Sequence, residues 1–206
     1  MKYNIKMQVV NFMYGKLFKG YLKNHPLDID AKAVLKKTAQ EFKAMIQRTP
    51  GLDGKGMEFN LVGACWLFAM AKSIPEMTPE LFCEITEDFV SSDMMKKMCK
   101  KTRKKGLLFT DKAMAKWAKD AEESQDSQYE MDWIYTFKWA PDTYDINYTK
   151  CGCHRLAQRE NMMEYLPGLC HTDFTKYKLK GAKLTRNHTL ANGDGYCDFH
   201  FDRIKE

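Results

Sequence analysis

The hydrophobic period of the chain changes once, near residue 128, and that change limits the fold more than any other feature. Before it, apolar residues recur every three to four positions, as helices with one buried stripe require. From Ile5 to about Asn24 the stripe is Ile5, Val9, Phe12, Met13, Leu17 and Tyr21; from Ala31 to Gln47 it is Val34, Leu35, Ala39, Phe42 and Ile46. His25-Pro26-Leu27-Asp28 between them suits a helix stop and restart. Met57 to Ala71 is apolar on nearly all sides, which predicts a helix at the centre of a bundle, its aromatics Trp66 and Phe68 serving as core together with Phe89. Thr78-Pro79-Glu80 joins an N-cap to a first-turn proline and acid. The helix it opens runs to about Lys105, with the polar Ser91-Ser92-Asp93 as a place to break. One more helix is predicted from Asp111 to about Glu123, ending in the polar stretch Glu122 to Gln128.

Beyond that stretch the chain turns aromatic and β-branched. Asp132 to Trp139 and Tyr144 to Thr149 predict a β-hairpin turning at Pro141-Asp142. Two short helices, His154 to Tyr165 and Leu169 to Leu179, flank Pro167-Gly168. Strands Lys183 to Leu190 and Tyr196 to Ile204 follow, joined by a hairpin turn at 191–195. The expected class is α+β: a helical N-terminal half (1–128) packed on a small, mostly antiparallel sheet of about four strands with two short helices inserted (129–206). A sheet this small needs the helices over one face, so the 206 residues are expected to form one domain.

Composition narrows the function classes. The net charge of +6 comes from one run: residues 96–105 hold seven basic residues and no acid, leaving −1 on the rest. Such a run at a helix C-terminus complements the helix dipole. A broad basic groove with interleaved aromatics is missing, so nucleic acid is not an expected partner. The longest apolar run, Leu61 to Ala71, is shorter than the roughly 18–20 residues of a membrane span, and no membrane partner is expected either. Met1 to Lys6 lacks the pattern of a secretory signal, which makes the reducing cytoplasm the expected compartment. Seven cysteines there imply free thiols, a metal site or catalysis rather than disulfides. Oligomeric state is open.

Cys65, Cys83 and Cys99 sit in helical patterns among apolar neighbours and are expected in the core. Cys151, Cys153, Cys170 and Cys197 fall in the last 56 residues. Cys151 and Cys153 occupy a turn that opens a helix, and Cys170 is expected at the start of another, where the dipole favours a thiolate. Asp173, three residues on, shares its face, so the two could act as nucleophile and base. His154 lies one residue from Cys153 and three from Cys151, and could serve as a base or a metal ligand.

Three segments together, Cys151-Gly152-Cys153-His154-Arg155-Leu156-Ala157, Leu169-Cys170-His171-Thr172-Asp173 and Thr189 to Phe199, resemble the L-2-amino-thiazoline-4-carboxylic acid hydrolase family. The likeness covers roughly residues 130 to 203. It implies hydrolytic opening of a cyclic amidine, 2-aminothiazoline-4-carboxylate, to a carbamoyl-cysteine, with a small molecule as partner and no cofactor. On that basis Cys170 is the expected nucleophile with Asp173 as base, and Cys197 and Cys151 complete the catalytic candidates. Asp173 or Asp198 would hold the amidinium, Arg155, Arg159 or Arg186 would pair with the substrate carboxylate, and Thr189 is a further substrate-binding candidate. The C-terminal pattern is also similar to the small-molecule-binding domain of 4-vinyl reductases and aromatic-effector sensors, in which cysteines bind zinc. That likeness implies the alternative, a non-catalytic binding domain with Cys151, His154, Cys170 and Cys197 around zinc or an apolar ligand. Thr189 stands where such sensors carry another cysteine.

Overall fold

The computed structural model describes residues 1–53 and 57–205. Its helical half comprises α1 (Ile5–Asn24), α2 (Ala31–Arg48), α3 (Glu58–Ala71), α4 (Pro79–Ser91), α5 (Asp93–Lys104) and α6 (Asp111–Ser124). The second half follows as β1 (Ile134–Ala140), β2 (Thr143–Lys150), α7 (Gly152–Glu160), α8 (Leu166–Lys180), β3 (Ala182–Thr185) and β4 (Cys197–Arg203). The class is α+β, as the change of period predicts.

Local chemistry starts and stops these helices. Asn4, Asp30, Thr78 and Thr110 each cap a helix by accepting backbone N–H groups of the first turn. Ser92 ends α4 and caps α5, its hydroxyl accepting from Met95 N at 3.3 Å, so the long predicted helix breaks where the polar residues stand. The basic residues Lys101, Arg103 and Lys104 fill the last turn of α5. Leu61 to Ala71 of α3 is buried on every side, and α1, α2 and α7 pack around it. Trp66, Phe68 and Phe89 are core residues, and so are Cys65 and Cys99, whereas Cys83 is half-buried.

Helix α1 departs from its expected stripe. Met7, Val10, Phe18 and Tyr21 are buried, while Ile5, Val9 and Phe12 remain 70 %, 51 % and 72 % exposed. This helix is apolar on two faces, so periodicity alone marks both without saying which one meets α3.

The sheet order is β1-β2-β4-β3, antiparallel throughout. Asp142, in the left-handed region at φ 63°, makes the tight β1–β2 turn and is held by Arg203 at 3.1 Å. Register pairs Tyr148 with Cys197, Ile146 with Phe199 and Tyr144 with Phe201. Because side chains alternate across a sheet, these six residues share the inner face and are buried. The expected tight β3–β4 hairpin does not form. Strand β3 ends at Thr185, and the chain crosses a loop containing a 3-10 turn (Leu190–Asn192) before β4. Side chains replace the ladder there: Asp198 accepts from the backbone N–H groups of Asn187 (2.9 Å) and His188 (2.5 Å), and Asp194 accepts from Thr189 N (2.7 Å). Helix α8 lies between α4 and α5 on one side and the sheet on the other, with Tyr177 4.4 Å from Phe201.

One ion cluster ties α2 and α3 to α7. Glu160, 6 % exposed, accepts from Arg48 at 2.7 and 2.6 Å and from Lys72 at 2.5 Å. Burial opposes its charge, but the hydrogen bonds and charges of Arg48 and Lys72 outweigh that and hold its carboxyl below the ordinary value of 4.5. Because the folded value is depressed, this stabilisation is present above the unfolded value and is lost as pH falls through the folded one. Arg48 is 42 % exposed, so the pair is discounted for solvent screening. Glu160→Gln is expected to cost about 2 kcal/mol, a difference from wild type that shrinks in urea titrations below about pH 4. Equal stability of the two proteins at pH 7 would refute the clamp.

Candidate active site

The segments of highest chemical interest converge at the end of the sheet where β2 runs into α7. Cys151 follows β2 directly and is the N-cap of α7. Gly152 is buried against Met131 and Trp133 with no room for a side chain, which seats the first turn of α7 tightly and places Cys151 and Cys153. The two thiols have different surroundings. The Cys153 sulfur lies 3.9 Å from the carbonyl oxygen of Asn60, which can only accept and so keeps Cys153 as S–H; its one proton goes to this carbonyl or to the Cys151 sulfur, not to both at once. Cys151 makes no conventional side-chain cap, but donors surround it. The Cys153 S–H, followed by the backbone N–H groups of His154 and Cys153, outweighs burial and pulls the Cys151 thiol below its ordinary value of 9.0. Cys153 is correspondingly pushed well up, by its hydrogen bond to Cys151 and by burial.

Cys170 is placed differently from its expectation. Helix α8 begins at Leu166, so Pro167 and Gly168 lie inside its first turn and Cys170 is already in the second, away from the N-terminal dipole. Burial, then the neighbouring Cys151 and Asp173, push its thiol well above 9.0. Cys197, on the inner face of β4, accepts from Leu190 N at 3.2 Å and is pushed up to about 11 by burial. Cys151 and Cys197 both feel the charge of Asp173, and Arg186 acts on Cys170 and Cys197, so these groups form one electrostatic cluster.

Asp173 stands between two cations, Lys176 Nζ at 3.4 Å and Arg186 Nη1 at 3.6 Å. Arg186 is 7 % exposed and its guanidinium lies between the rings of Phe174 (5.0 Å) and Phe199 (4.9 Å). Its Nη2 donates to the carbonyl of Cys170 at 3.2 Å, but Nη1 is buried with no hydrogen-bond partner. An unsatisfied buried guanidinium N–H is costly in a folded protein and marks a place where an acceptor belongs. Tyr148 of β2 and Tyr177 of α8 feel the same Asp173, and burial pushes both phenols up, so they stay protonated as donors. Cys170, Asp173, Phe174 and Tyr177 are half-buried although α8 is packed on both sides.

The other predicted residues lie elsewhere. Arg155 is exposed and bonded to Gln158, and Arg159 pairs with Glu130 at the surface. Asp198 pairs with Asn147 on the outer face of the sheet, its carboxylate engaged by the β3–β4 loop. Thr189 is buried in that loop, accepting from Asn192 N at 3.1 Å. His154 is half-buried in the first turn of α7, where burial lowers its pKa. Among the described residues no three His, Cys, Asp or Glu side chains are arranged to hold a metal ion. A wide cleft lined by Arg48, Lys72, Arg159, Glu160 and Asn161 is open to solvent, and Glu160 already pairs with Arg48 and Lys72 there; none of the cysteines lines it.

Three site residues escape motif reading: Lys176, Tyr148 and Tyr177. Lys176 follows Asp173 by one helical turn, a usable signal. Tyr148 shares the inner-face alternation of β2, which marks it as buried without marking it as functional.

No curated protein and no solved structure matches the chain significantly. A family model does match, over residues 57–201, a span that takes in all seven cysteines together with Asp173 and Arg186. No helix among the described residues is long and apolar enough to cross a membrane. The chain belongs to the L-2-amino-thiazoline-4-carboxylic acid hydrolase family.

Proposed function

We propose that this protein opens the ring of 2-aminothiazoline-4-carboxylate by hydrolysis to a carbamoyl-cysteine, with Cys151 rather than Cys170 as the nucleophile. What supports the assignment is placement: Cys151 caps the first turn of α7, where the Cys153 thiol and the backbone N–H groups of His154 and Cys153 favour its thiolate, in one cluster with Asp173 and with the buried Arg186 Nη1, which has no hydrogen bond and whose ion-pair partner Asp173 stands at 3.6 Å.

The steps balance without redox change. The Cys151 thiolate attacks the amidine carbon, and the ring carbon–sulfur bond breaks with its electron pair going to the ring sulfur. This leaves an isothiouronium on Cys151 and a free thiolate on the substrate. Water then attacks the same carbon, Cys151 leaves as thiolate, and both nitrogens remain in the urea product. One water proton passes by way of Asp173 to the substrate sulfur, and the other is released to solvent as the cationic amidinium becomes a neutral urea. Asp173 also holds the amidinium before attack. Arg186 Nη1 takes the substrate carboxylate, which supplies its missing acceptor. Cys170 and Cys197 line the site as neutral thiols.

Mass spectrometry of the purified protein with 2-aminothiazoline-4-carboxylate should show product heavier by one water, and no turnover of this compound or of related cyclic amidines would refute the proposal. Arg186→Met should raise KM roughly 10- to 100-fold, the size expected for a lost charge-assisted hydrogen bond. An analogue lacking the carboxylate should be turned over equally by variant and wild type. Equal sensitivity of both substrates would show that Arg186 acts only on structure. The scheme uses side chains alone and no cofactor; stoichiometric zinc in protein purified without added metal would favour a binding domain instead.

A further inference from the structure

Helix α1 lies outside the family match and turns its second apolar face away from the protein. Ile5, Val9, Phe12, Lys16, Lys19 and Lys23 are spaced alternately four and three residues apart, so they form one straight row along about 27 Å of helix. All six are exposed, and chemistry divides the row in two. Its first half is the unburied stripe of Ile5, Val9 and Phe12; its second half is three lysines. Exposed Lys2 and Lys6 add charge beside the apolar end, and residues 1–24 contain five lysines and no acid. Glu84 of α4, which accepts from Tyr21 at 2.8 Å and pairs with His25 at 3.3 Å, stands on the packed side of the helix, where Tyr21 is buried.

Charge selects what such a row can meet. A second copy of the chain fits poorly: pairing α1 with α1 sets lysines against lysines in the parallel sense and against the apolar half in the antiparallel one. Protein interfaces are depleted in lysine, and three apolar side chains fall short of the roughly 800 Å² a side that a stable one buries. A layer of anionic headgroups asks for this combination, with apolar side chains that reach the acyl boundary and lysines whose flexible stems follow the phosphates.

We propose that α1 docks the protein on an anionic bilayer surface, with Ile5, Val9 and Phe12 entering the boundary between headgroups and acyl chains while Lys16, Lys19 and Lys23 lie against lipid phosphates. The helix lies in the plane of the interface and does not cross it. The shortness of the apolar runs excludes a spanning segment and places no limit on a helix that lies flat. Met7, Val10, Phe18 and Tyr21 stay packed on the helical half, so docking needs no rearrangement of the fold. The surface is independent of the reaction proposed above.

Flotation of the full chain with vesicles tests this. The protein should rise with vesicles of mixed phosphatidylcholine and phosphatidylglycerol, stay behind with pure phosphatidylcholine, and be released as salt is raised. Phe12→Ser should weaken binding about 10- to 100-fold. Replacing Lys16, Lys19 and Lys23 together by Gln should weaken it about 100-fold. Because these side chains face outward, each variant should keep the wild-type Tm within about 2 °C. The basic run of α5 is the competing cationic surface, and Lys100→Gln with Lys104→Gln should leave binding within about threefold. Wild-type protein that stays behind with anionic vesicles at low salt overturns the proposal, as does equal flotation on both lipids. Loss of binding in the α5 variant with full binding in the α1 variants moves the surface to α5 and overturns it too. A dimer that Phe12→Ser turns into a monomer in sedimentation would assign the row to a second copy of the chain instead.

Discussion

Cys151→Ala is expected to lose ring-opening activity by roughly a thousandfold or more while remaining folded, because it removes the attacking atom and leaves α7 intact. Cys170→Ala should stay within about tenfold of wild type, since that thiol is buried, lies past the first turn of α8 and is pushed well above its ordinary value. The pH dependence carries the same assignment. The Cys151 thiol lies below 9.0, so activity is present above its folded value and declines as pH falls through it. Cys153→Ala deletes the first of the donors that stabilise the thiolate, and should move that acid limb upward toward the ordinary thiol value. Iodoacetamide at neutral pH should label Cys151 first, with substrate protecting it. If Cys170→Ala abolished turnover and Cys151→Ala did not, the nucleophile would have to be reassigned.

Among the described glycines, Gly152→Ala should have the largest effect on stability. The new Cβ would overlap the carbonyl oxygen of Met131 and stand 2.7 and 2.8 Å from ring carbons of Trp133. A backbone carbonyl cannot swing aside as the tip of a side chain can. The cost should be about 3 kcal/mol or more, which for a chain of this size lowers Tm by roughly 6–12 °C. Activity should fall further than stability, because the same shift moves Cys151 and Cys153 away from Asp173. Scanning calorimetry checks the first effect and turnover at a temperature where the variant is folded checks the second. A Tm within about 2 °C of wild type would show that α7 can move without cost and that its seat is not what fixes the thiols.

Where the sequence reading succeeded, the information was local. The cap at Thr78-Pro79-Glu80, the break at Ser92, the all-apolar α3 and the aromatic hairpin are set by interactions within a few residues, so they can be read from a few residues. Where it failed, a distant partner decided. Ile5, Val9 and Phe12 form as regular a stripe as any, but a helix apolar on two faces can bury either, and the packing of α1 on α3 chose the other. Strand β3 stops at Thr185 because Asp198, ten or more residues on, takes up the backbone N–H groups of the following residues.

The candidate site divides in the same way. The three motif segments and their family were legible in the linear chain, as was the presence of a thiol, a carboxylate and an arginine for the chemistry. Which arginine, and which thiol, was not. Arg155, Arg159 and Arg186 are equivalent as letters; only folding sends Arg186 between two aromatic rings and leaves the other two in water. A thiol's acidity likewise depends on its folded surroundings: the donors to Cys151 are near neighbours, Cys153 and His154, that are aimed at it only once α7 forms, while its burial and the opposing charge of Asp173 come from distant segments. The sequence by itself determined the elements, the class and the family, because helix and strand formation and motif content are properties of neighbouring residues. The tertiary structure alone decided which of the chemically equivalent side chains are gathered at the candidate site, because groups far apart along the chain are brought together only by folding.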